Sequence, residues 1–195
     1  MSCESKINLF LDKNDYILKI TDDEIINVTG SVGSGKSTYG INYHDNKDYI
    51  VIDFDSIGSD NDPKTLTDDI IELRKYLSKY YKDLRMDEMN YYDSIIKFIK
   101  SKNKKGIIVG GHITHVSNLS KLKGTIIVKR TARIKCSYRA IIRDIKNPVY
   151  KKNKSFYEKI KRDIYCLRRV KLIKRQAYIE KFIDRLERYK EKGYE

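Results

Sequence analysis

Apolar residues in this chain cluster in short runs, and the segments between these runs repeat apolar positions with a helical period. The four clearest runs cover residues 25–28, 49–52, 106–109 and 125–128. Short apolar runs separated by helix-length segments are typical of parallel strands, because both faces of such strands are buried. The pattern therefore predicts an α/β domain with a central parallel sheet.

The spacing of apolar residues between and after these runs predicts the helices. They are expected over residues 37–43, 66–81 after a helix start at 62–65, 87–100, 134–145 and 156–189, the last as one long helix or two broken ones. Its expected core-facing residues are Ile160, Ile164, Leu167, Val170, Ile173, Ala177, Phe182, Leu186 and Tyr189. Residues 15–20 are expected to add an edge strand, paired with the run 25–28 as a hairpin through Asp22 and Asp23.

The length of 195 residues suits one domain over residues 1–195. No apolar run approaches the roughly 18–20 residues of a membrane helix, and the first residues lack a signal segment. Cys3, Cys136 and Cys166 are far apart and are expected to be reduced thiols. These features favour a cytoplasmic protein, and the sequence leaves its oligomeric state open.

Charge is distributed unevenly along the chain, whose net charge is +14. Residues 1–120 hold 16 Lys and Arg against 19 Asp and Glu, whereas residues 121–195 hold 25 against 8. A basic last third indicates an anionic partner: the phosphates of a nucleotide, a nucleic acid, or both.

Residues 30–38 read Gly-Ser-Val-Gly-Ser-Gly-Lys-Ser-Thr and match the phosphate-binding loop pattern Gly-x4-Gly-Lys-Ser/Thr directly after the first apolar run. Glycines let backbone N–H groups approach phosphate oxygens, Lys36 supplies a charge for the β- and γ-phosphates, and Ser37 a ligand for Mg²⁺. The motif predicts binding of ATP with Mg²⁺. The predicted nucleotide-binding residues are Gly30, Ser31, Val32, Gly33, Ser34, Gly35, Lys36, Ser37 and Thr38.

Two carboxylates follow the second apolar run, in the sequence Asp53-Phe54-Asp55. The carboxyl end of a parallel strand is where α/β folds bind ligands. Side chains alternate along a strand, so Asp53 and Asp55 are expected to face one site if the strand continues that far.

The loop 30–38 followed by Asp53-Phe54-Asp55 resembles the P-loop small-molecule kinases, which include nucleoside monophosphate kinases and shikimate kinase. Residues 84–88 and 108–111 are similar to two further shikimate kinase segments. The resemblance implies a P-loop three-layer sandwich with a central parallel sheet, a helical lid near residues 146–158 and long basic C-terminal helices. It further implies Asp53 in the Mg²⁺ network, Asp55 contacting or activating the acceptor hydroxyl, Arg85 binding an anionic group of the acceptor, and Gly110 and Gly111 beside the acceptor.

Arginines for the transferring phosphates are expected in residues 130–143, after the fourth run. Arg139 and Arg143 are four residues apart and therefore share a helix face. His112 stands where shikimate kinase has a third glycine, and residues 146–149 replace its lid segment, which argues against shikimate as the acceptor. The third run ends without an acid, which argues against a motor-type ATPase.

Three functional hypotheses follow. The first is a phosphotransferase that uses ATP and Mg²⁺ on a small anionic acceptor, such as a nucleotide. The second is a nucleic-acid NTPase or polynucleotide-end kinase, whose basic C-terminal third tracks a phosphate backbone. The third uses nucleotide only as a structural or switch ligand. The aromatic residues that belong to the second hypothesis are Tyr150, Phe156, Tyr157, Tyr165 and Tyr178. His112 and His115 form either a metal pair or, as we expect, part of a loop.

Overall fold

The structure, a computed structural model, describes residues 12–57, 68–81, 92–116, 118–146, 161, 164 and 169–193. Its strands are β1 (Tyr16–Lys19), β2 (Ile25–Gly30), β3 (Tyr49–Asp53), β4 (Lys105–Val109) and β5 (Thr125–Lys129). Its helices are α1 (Lys36–Ile41), α2 (Phe54–Ile57), α3 (Asp68–Ser78), α4 (Tyr92–Ser101), α5 (Arg133–Lys146) and α6 (Arg169–Glu191). Short 3₁₀ turns lie at His112–His115 and Leu119–Lys121.

The strands form one five-stranded sheet in the order β1-β5-β2-β4-β3. Strands β2 to β5 run parallel to their neighbours, and β1 is antiparallel to β5. The four predicted parallel strands are thus confirmed, and the chain is an α/β protein with a mostly parallel mixed sheet. Because β2 lies between β4 and β5, the loop that follows it leaves from the middle of the sheet.

The predicted edge strand exists, but its predicted pairing is wrong. β1 pairs with β5, with Tyr16 opposite Val128 and Lys19 opposite Thr125, and does not form a hairpin with β2. The physical reason is that β4 and β5 already occupy both edges of β2. Without β1 the free edges of the sheet belong to β5 and β3. β1 occupies the edge of β5, and after Lys19 the chain crosses from there to β2.

The hydrophobic core lies on both faces of the sheet. Ile50 and Ile52 point to one face and belong to a large buried cluster that also contains residues of α3, α4 and α6. Val51 points to the other face, against a smaller cluster that includes Tyr39 of α1 and Tyr43. This alternation along β3 follows from the two-residue period of a strand, so both faces need cover by helices.

The helix phase predicted for the C-terminal region is correct only in part. Phe182 and Leu186 are buried as expected, whereas Ile173 is half-buried and Ile164 is 55% exposed. The buried stripe of α6 instead passes through a polar residue, Gln176, whose amide donates to Glu180 at 3.0 Å. Because Gln176 is polar, the pattern of apolar residues did not indicate that this position faces the core. The expectations for Ile160, Leu167 and Val170 and the lid at 146–158 fall wholly or mainly outside the described residues.

Among the described helices, none is both long and apolar enough to cross a membrane. The predicted free thiol is confirmed for Cys136, which is buried. Burial raises the pKa of the Cys136 thiol and keeps it protonated at neutral pH. Cys3, Cys166 and the expected helix start at 62–65 lie outside the described residues.

Candidate functional site

The loop between β2 and α1, residues 30–35, is called the glycine loop below. Gly33 has φ +80°, and a Cβ atom at this position would lie 2.2 Å from the carbonyl oxygen of Cys136 in α5. A side chain here would therefore clash with helix backbone as well as strain the loop. Gly35 has φ +93° with no atom within 4 Å of such a Cβ, so its outer side is open. The glycine loop thus packs on α5 at Gly33 and is open beside Gly35.

The side chain of Lys36 turns back over the glycine loop. Its ammonium donates to the carbonyl oxygens of Gly30 and Ser31, each at 3.0 Å. These neutral acceptors hold the charge beside the loop without neutralising it. An anion at the loop therefore meets a positive charge already in place.

Ser37 and Asp53 meet at the carboxyl edge of the sheet. The Ser37 hydroxyl donates to the Asp53 carboxylate at 3.3 Å, and the pair is exposed. Hydroxyl and carboxylate oxygens are the ligands that Mg²⁺ prefers, and Mg²⁺ is commonly held by one or two carboxylates together with substrate phosphates. The two residues therefore fit Mg²⁺. No group of three or more His, Cys, Asp and Glu residues that could hold a metal by itself occurs in the part of the chain that the structure describes.

A cleft of about 660 Å³ opens around these groups, between the glycine loop, the carboxyl edge of the sheet and α5. It brings together many of the predicted site residues: Val32, Gly33, Ser34, Gly35, Lys36, Ser37, Thr38, Asp53, Gly110 and Arg139. The cleft also has lining residues that the sequence argument missed: Tyr39, Asn42, Val109, Lys129, Thr131 and Ala140.

The strand does not continue to Asp55, so the condition on which Asp53 and Asp55 were expected to face one site as alternate strand residues is not met. β3 ends at Asp53, and α2 begins at Phe54, whose side chain is buried in the core. The chain leaves the strand because Phe54 anchors it there, so strand alternation does not reach Asp55. The side chain of Asp55 lies outside the described part of the structure.

Arg139 and Arg143 both lie in α5, as predicted, and Arg139 lines the cleft. The side chain of Arg143 and all of Arg85 lie outside the described residues. Gly111 follows Gly110 after β4, and its outer side is open, with no atom within 4 Å of an added Cβ.

Lys129 is a third cationic residue that lines the cleft, besides Lys36 and Arg139, and the sequence did not predict it. It is the last residue of β5, opposite Gly30 of β2. Its ammonium pairs with Asp15 at 2.5 Å and lies 5.7 Å from the ring centroid of Tyr39. Burial, followed by the hydrogen bond with Tyr43, raises the pKa of Tyr39 to about 12, so the phenol is neutral at physiological pH. Only its position at a strand end beside the glycine loop could have indicated Lys129 from the sequence.

The segment after β5 is held on both sides. The Thr131 hydroxyl donates to the carbonyl oxygen of Ser34 at 2.8 Å and ties this segment to the glycine loop. Asp12 accepts from the Ala132 N–H and the Lys135 ammonium, both at 2.7 Å. The hydrogen bond from Lys135, then that from Ala132, lowers the pKa of Asp12. The start of α5 is therefore fixed relative to the glycine loop.

α6 braces the segment after β4 and the segment after β5. The Tyr178 hydroxyl donates to the Thr114 carbonyl at 3.2 Å, and Arg185 donates to the Val116 carbonyl at 2.5 Å. Glu180 accepts from Arg130 at 2.8 Å. Burial raises the pKa of Glu180, but hydrogen bonds from Gln176 and Lys13 outweigh it and lower the pKa below its ordinary value. Tyr178 thus has a hydrogen-bonding role in the fold.

The remaining aromatic residues of the nucleic-acid hypothesis, Tyr150, Phe156, Tyr157 and Tyr165, lie outside the described residues. His112 and His115 lie in a 3₁₀ turn after β4. Their side chains are not among those described, so a metal pair there stays a hypothesis.

Comparison with protein-family models, curated proteins and solved structures gives no match.

Proposed function

We propose that this protein is a phosphotransferase that uses ATP and Mg²⁺ on a small anionic acceptor such as a nucleotide, with the fold of a P-loop kinase. The observation that carries the proposal is the meeting of Lys36, Ser37, Asp53 and Arg139 around one cleft at the carboxyl edge of a parallel sheet. Phosphoryl transfer needs mainly positioning and charge neutralisation, and these residue types supply both.

The glycine loop is proposed to bind the phosphates of ATP. Its backbone N–H groups are the donors, and the open space beside Gly35 lets the phosphates approach. Lys36 exchanges the carbonyl oxygens of Gly30 and Ser31 for phosphate oxygens, which are stronger acceptors because they are charged. Ser37 and Asp53 hold Mg²⁺, which neutralises phosphate charge when bound.

Arg139 is proposed to stabilise the negative charge that develops on the phosphates during the transfer. It lines the cleft from α5, and Lys129, which is paired with Asp15, also lines the cleft. A guanidinium placed against a transferring phosphoryl group contributes about 10³-fold or more in rate. The fixed start of α5 supplies the positioning that this contribution needs.

The acceptor is proposed to bind on the side of Asp55, Gly110 and Gly111, with Arg85 on its anionic group. The open surface at Gly111 leaves room for it. In this proposal residues 146–158 form a lid that closes over the bound substrates. The protein is proposed to act in the cytoplasm, where ATP and Mg²⁺ are supplied. Residues 1–195 act as one domain in this proposal.

Two measurements test the proposal: binding of a fluorescent ATP analogue with and without Mg²⁺, and transfer of labelled γ-phosphate. The acceptors offered are mononucleotides, nucleosides, small metabolites and 5′-hydroxyl oligonucleotides. We expect Lys36→Ala to lower transfer by about 10²-fold or more, because it removes a charge that stabilises the transition state. Lys47→Ala, an exposed lysine lining a separate pocket that shares no residue with the cleft, is the control and should leave transfer unchanged.

Transfer by Lys36→Ala at the wild-type rate would refute the role of the glycine loop. Tight binding of the ATP analogue with no transfer to any acceptor would favour the switch hypothesis instead.

A further inference from the structure

Helix α5 presents an outer face that combines cations with exposed apolar side chains. The face, called the α5 outer face below, consists of Lys135, Tyr138, Arg139, Ile142, Ile145 and Lys146, which follow the helical period along one side of α5. Tyr138 is 62% exposed and Ile145 is 40% exposed. Such large apolar side chains in solvent, in a row with positive charges, indicate an interaction surface.

The α5 outer face is continuous with the cleft. Arg139 belongs to both, and its neighbour Ala140 also lines the cleft. The opposite side of the helix is buried, with the Cys136 carbonyl against Gly33 of the glycine loop. A ligand lying along the outer face therefore passes the mouth of the phosphate-binding region.

Charge selects the class of partner. Lys135, Arg139 and Lys146 are cationic, and the last third of the chain, which contains α5, carries 25 Lys and Arg against 8 Asp and Glu. Asp12 reaches the near end of the face, where Lys135 and the Ala132 N–H hold its carboxylate. An exposed aromatic ring among cations matches a ligand that offers both phosphates and unpaired bases.

We propose that the α5 outer face binds single-stranded nucleic acid, with a base stacked on Tyr138 and the backbone along Arg139 and Lys146. A duplex keeps its bases stacked on one another, so it offers no free base to Tyr138. The surface lies outside the phosphate-transfer machinery except at Arg139. It therefore binds a strand whether or not phosphate transfer takes place.

The test is fluorescence anisotropy of a labelled single-stranded oligonucleotide titrated with the full chain at several salt concentrations. Tyr138→Ala is expected to weaken binding about fivefold or more, the loss of one stacked base. Lys146→Ala should weaken binding and reduce the slope of log affinity against log salt by about one. Tyr80→Ala is the matched control: Tyr80 is 67% exposed at the end of α3, so its loss should not change the affinity.

Binding of the fluorescent ATP analogue is measured on the same variants and should be unchanged in Tyr138→Ala. Loss of nucleotide binding at the glycine loop is thereby distinguished from loss of oligonucleotide binding at the α5 outer face. Four results would overturn the proposal: no oligonucleotide binding at low salt, equal effects of Tyr138→Ala and Tyr80→Ala, duplex binding as tight as single-strand binding, or binding of anionic lipid vesicles in place of oligonucleotide. A larger fall in thermal stability for Tyr138→Ala than for Tyr80→Ala would also overturn it, because it would show that the ring is covered in the folded protein.

Discussion

The polar groups near the two ends of strand β2 differ in their hydrogen bonding. Near its start, Asn27 is fully buried, and its side chain forms a closed set of hydrogen bonds. Its amide donates to the Lys123 carbonyl at 2.7 Å, its oxygen accepts from the Tyr92 hydroxyl at 2.9 Å, and that hydroxyl accepts from the Lys123 N–H at 3.3 Å. The three residues, called the Asn27 ring below, satisfy one another inside the protein.

At the other end of β2 the polar groups are left available. The hydroxyls of Thr29 and Ser34 are buried without a hydrogen-bond partner among the described residues. Lys36 donates to the carbonyl oxygens of Gly30 and Ser31 in its own loop. Native proteins keep few buried polar atoms unpaired, and those that remain call for an explanation, such as a functional role.

The comparison separates stability from function along a single strand. Changes in the Asn27 ring should lower the free energy of unfolding and leave nucleotide binding intact. Changes in the glycine loop should weaken nucleotide binding, whether or not they also lower the free energy of unfolding. Three predictions test this division.

The largest effect is expected from Gly33→Ala. The new methyl group would meet the Cys136 carbonyl at 2.2 Å, and the residue would keep a φ of +80° that side chains rarely adopt. Strain and overpacking together should cost about 4 kcal/mol of stability, with loss of binding of the ATP analogue as the loop moves off α5. Urea unfolding and an anisotropy titration measure the two effects.

Gly35→Ala is the matched control for this change. Gly35 has a similar φ of +93° but open space around an added Cβ. Only the backbone strain remains, about 1 kcal/mol. Equal losses of stability in the two variants would show that packing of the loop on α5 does not matter, and would break the comparison.

The parallel sheet follows directly from the apolar runs, and the reason is visible in the core. Ile50, Ile52 and Ile108 are fully buried because both faces of these strands are covered, so every position in the run must be apolar. The partner of β1 could not be predicted in this way. Asp22 and Asp23 are typical of a turn that would pair β1 with β2. Which edge is available to β1, however, depends on the position of β5 in the sheet.

The site shows the same limit. Lys36, Ser37 and Asp53 carry a local motif or end a strand, and the structure brings them together in one cleft. Lys129 has no motif, and its place at the cleft depends on Asp15, which lies more than one hundred residues away in the chain. The direction of the chain at Asp55 depends on where Phe54 is buried, which is a property of the whole core.

The second prediction concerns the Asn27 ring. Asn27→Leu keeps the branched shape of the side chain but leaves the Tyr92 hydroxyl without its acceptor and the Lys123 carbonyl without its donor. Two buried groups losing partners should lower the free energy of unfolding by about 3 kcal/mol. The affinity for the ATP analogue should not change.

Thr29→Val is the matched control, two residues along the same strand. It removes a buried hydroxyl that has no partner, so stability should change by less than about 1 kcal/mol or increase slightly. If Asn27→Leu weakened binding of the ATP analogue as strongly as it lowered stability, the assignment of stability to one end of β2 and of nucleotide binding to the other would be wrong.

The smallest effect is a pH dependence that belongs to the Asn27 ring alone. Burial raises the pKa of Tyr92 to about 12, although the hydrogen bonds from Lys123 and to Asn27 lower it in part. In the unfolded chain the phenol has a pKa of about 10, so the folded state binds its proton more tightly. This contribution is fully present below pH 10 and is lost as the pH rises from 10 to 12, a change of at most about 2.7 kcal/mol.

Urea unfolding of wild type and Tyr92→Phe between pH 8 and 12 isolates this contribution from the titration of lysines and other tyrosines. At pH 8 the wild type should be more stable by about 1–2 kcal/mol, because the variant leaves the Asn27 oxygen and the Lys123 N–H unpaired. Above pH 10 that advantage should shrink and then reverse, since only the wild type has a buried phenol to ionise. A constant difference across this range would mean that the Asn27 ring is open to water, and the contrast with the glycine loop would then disappear.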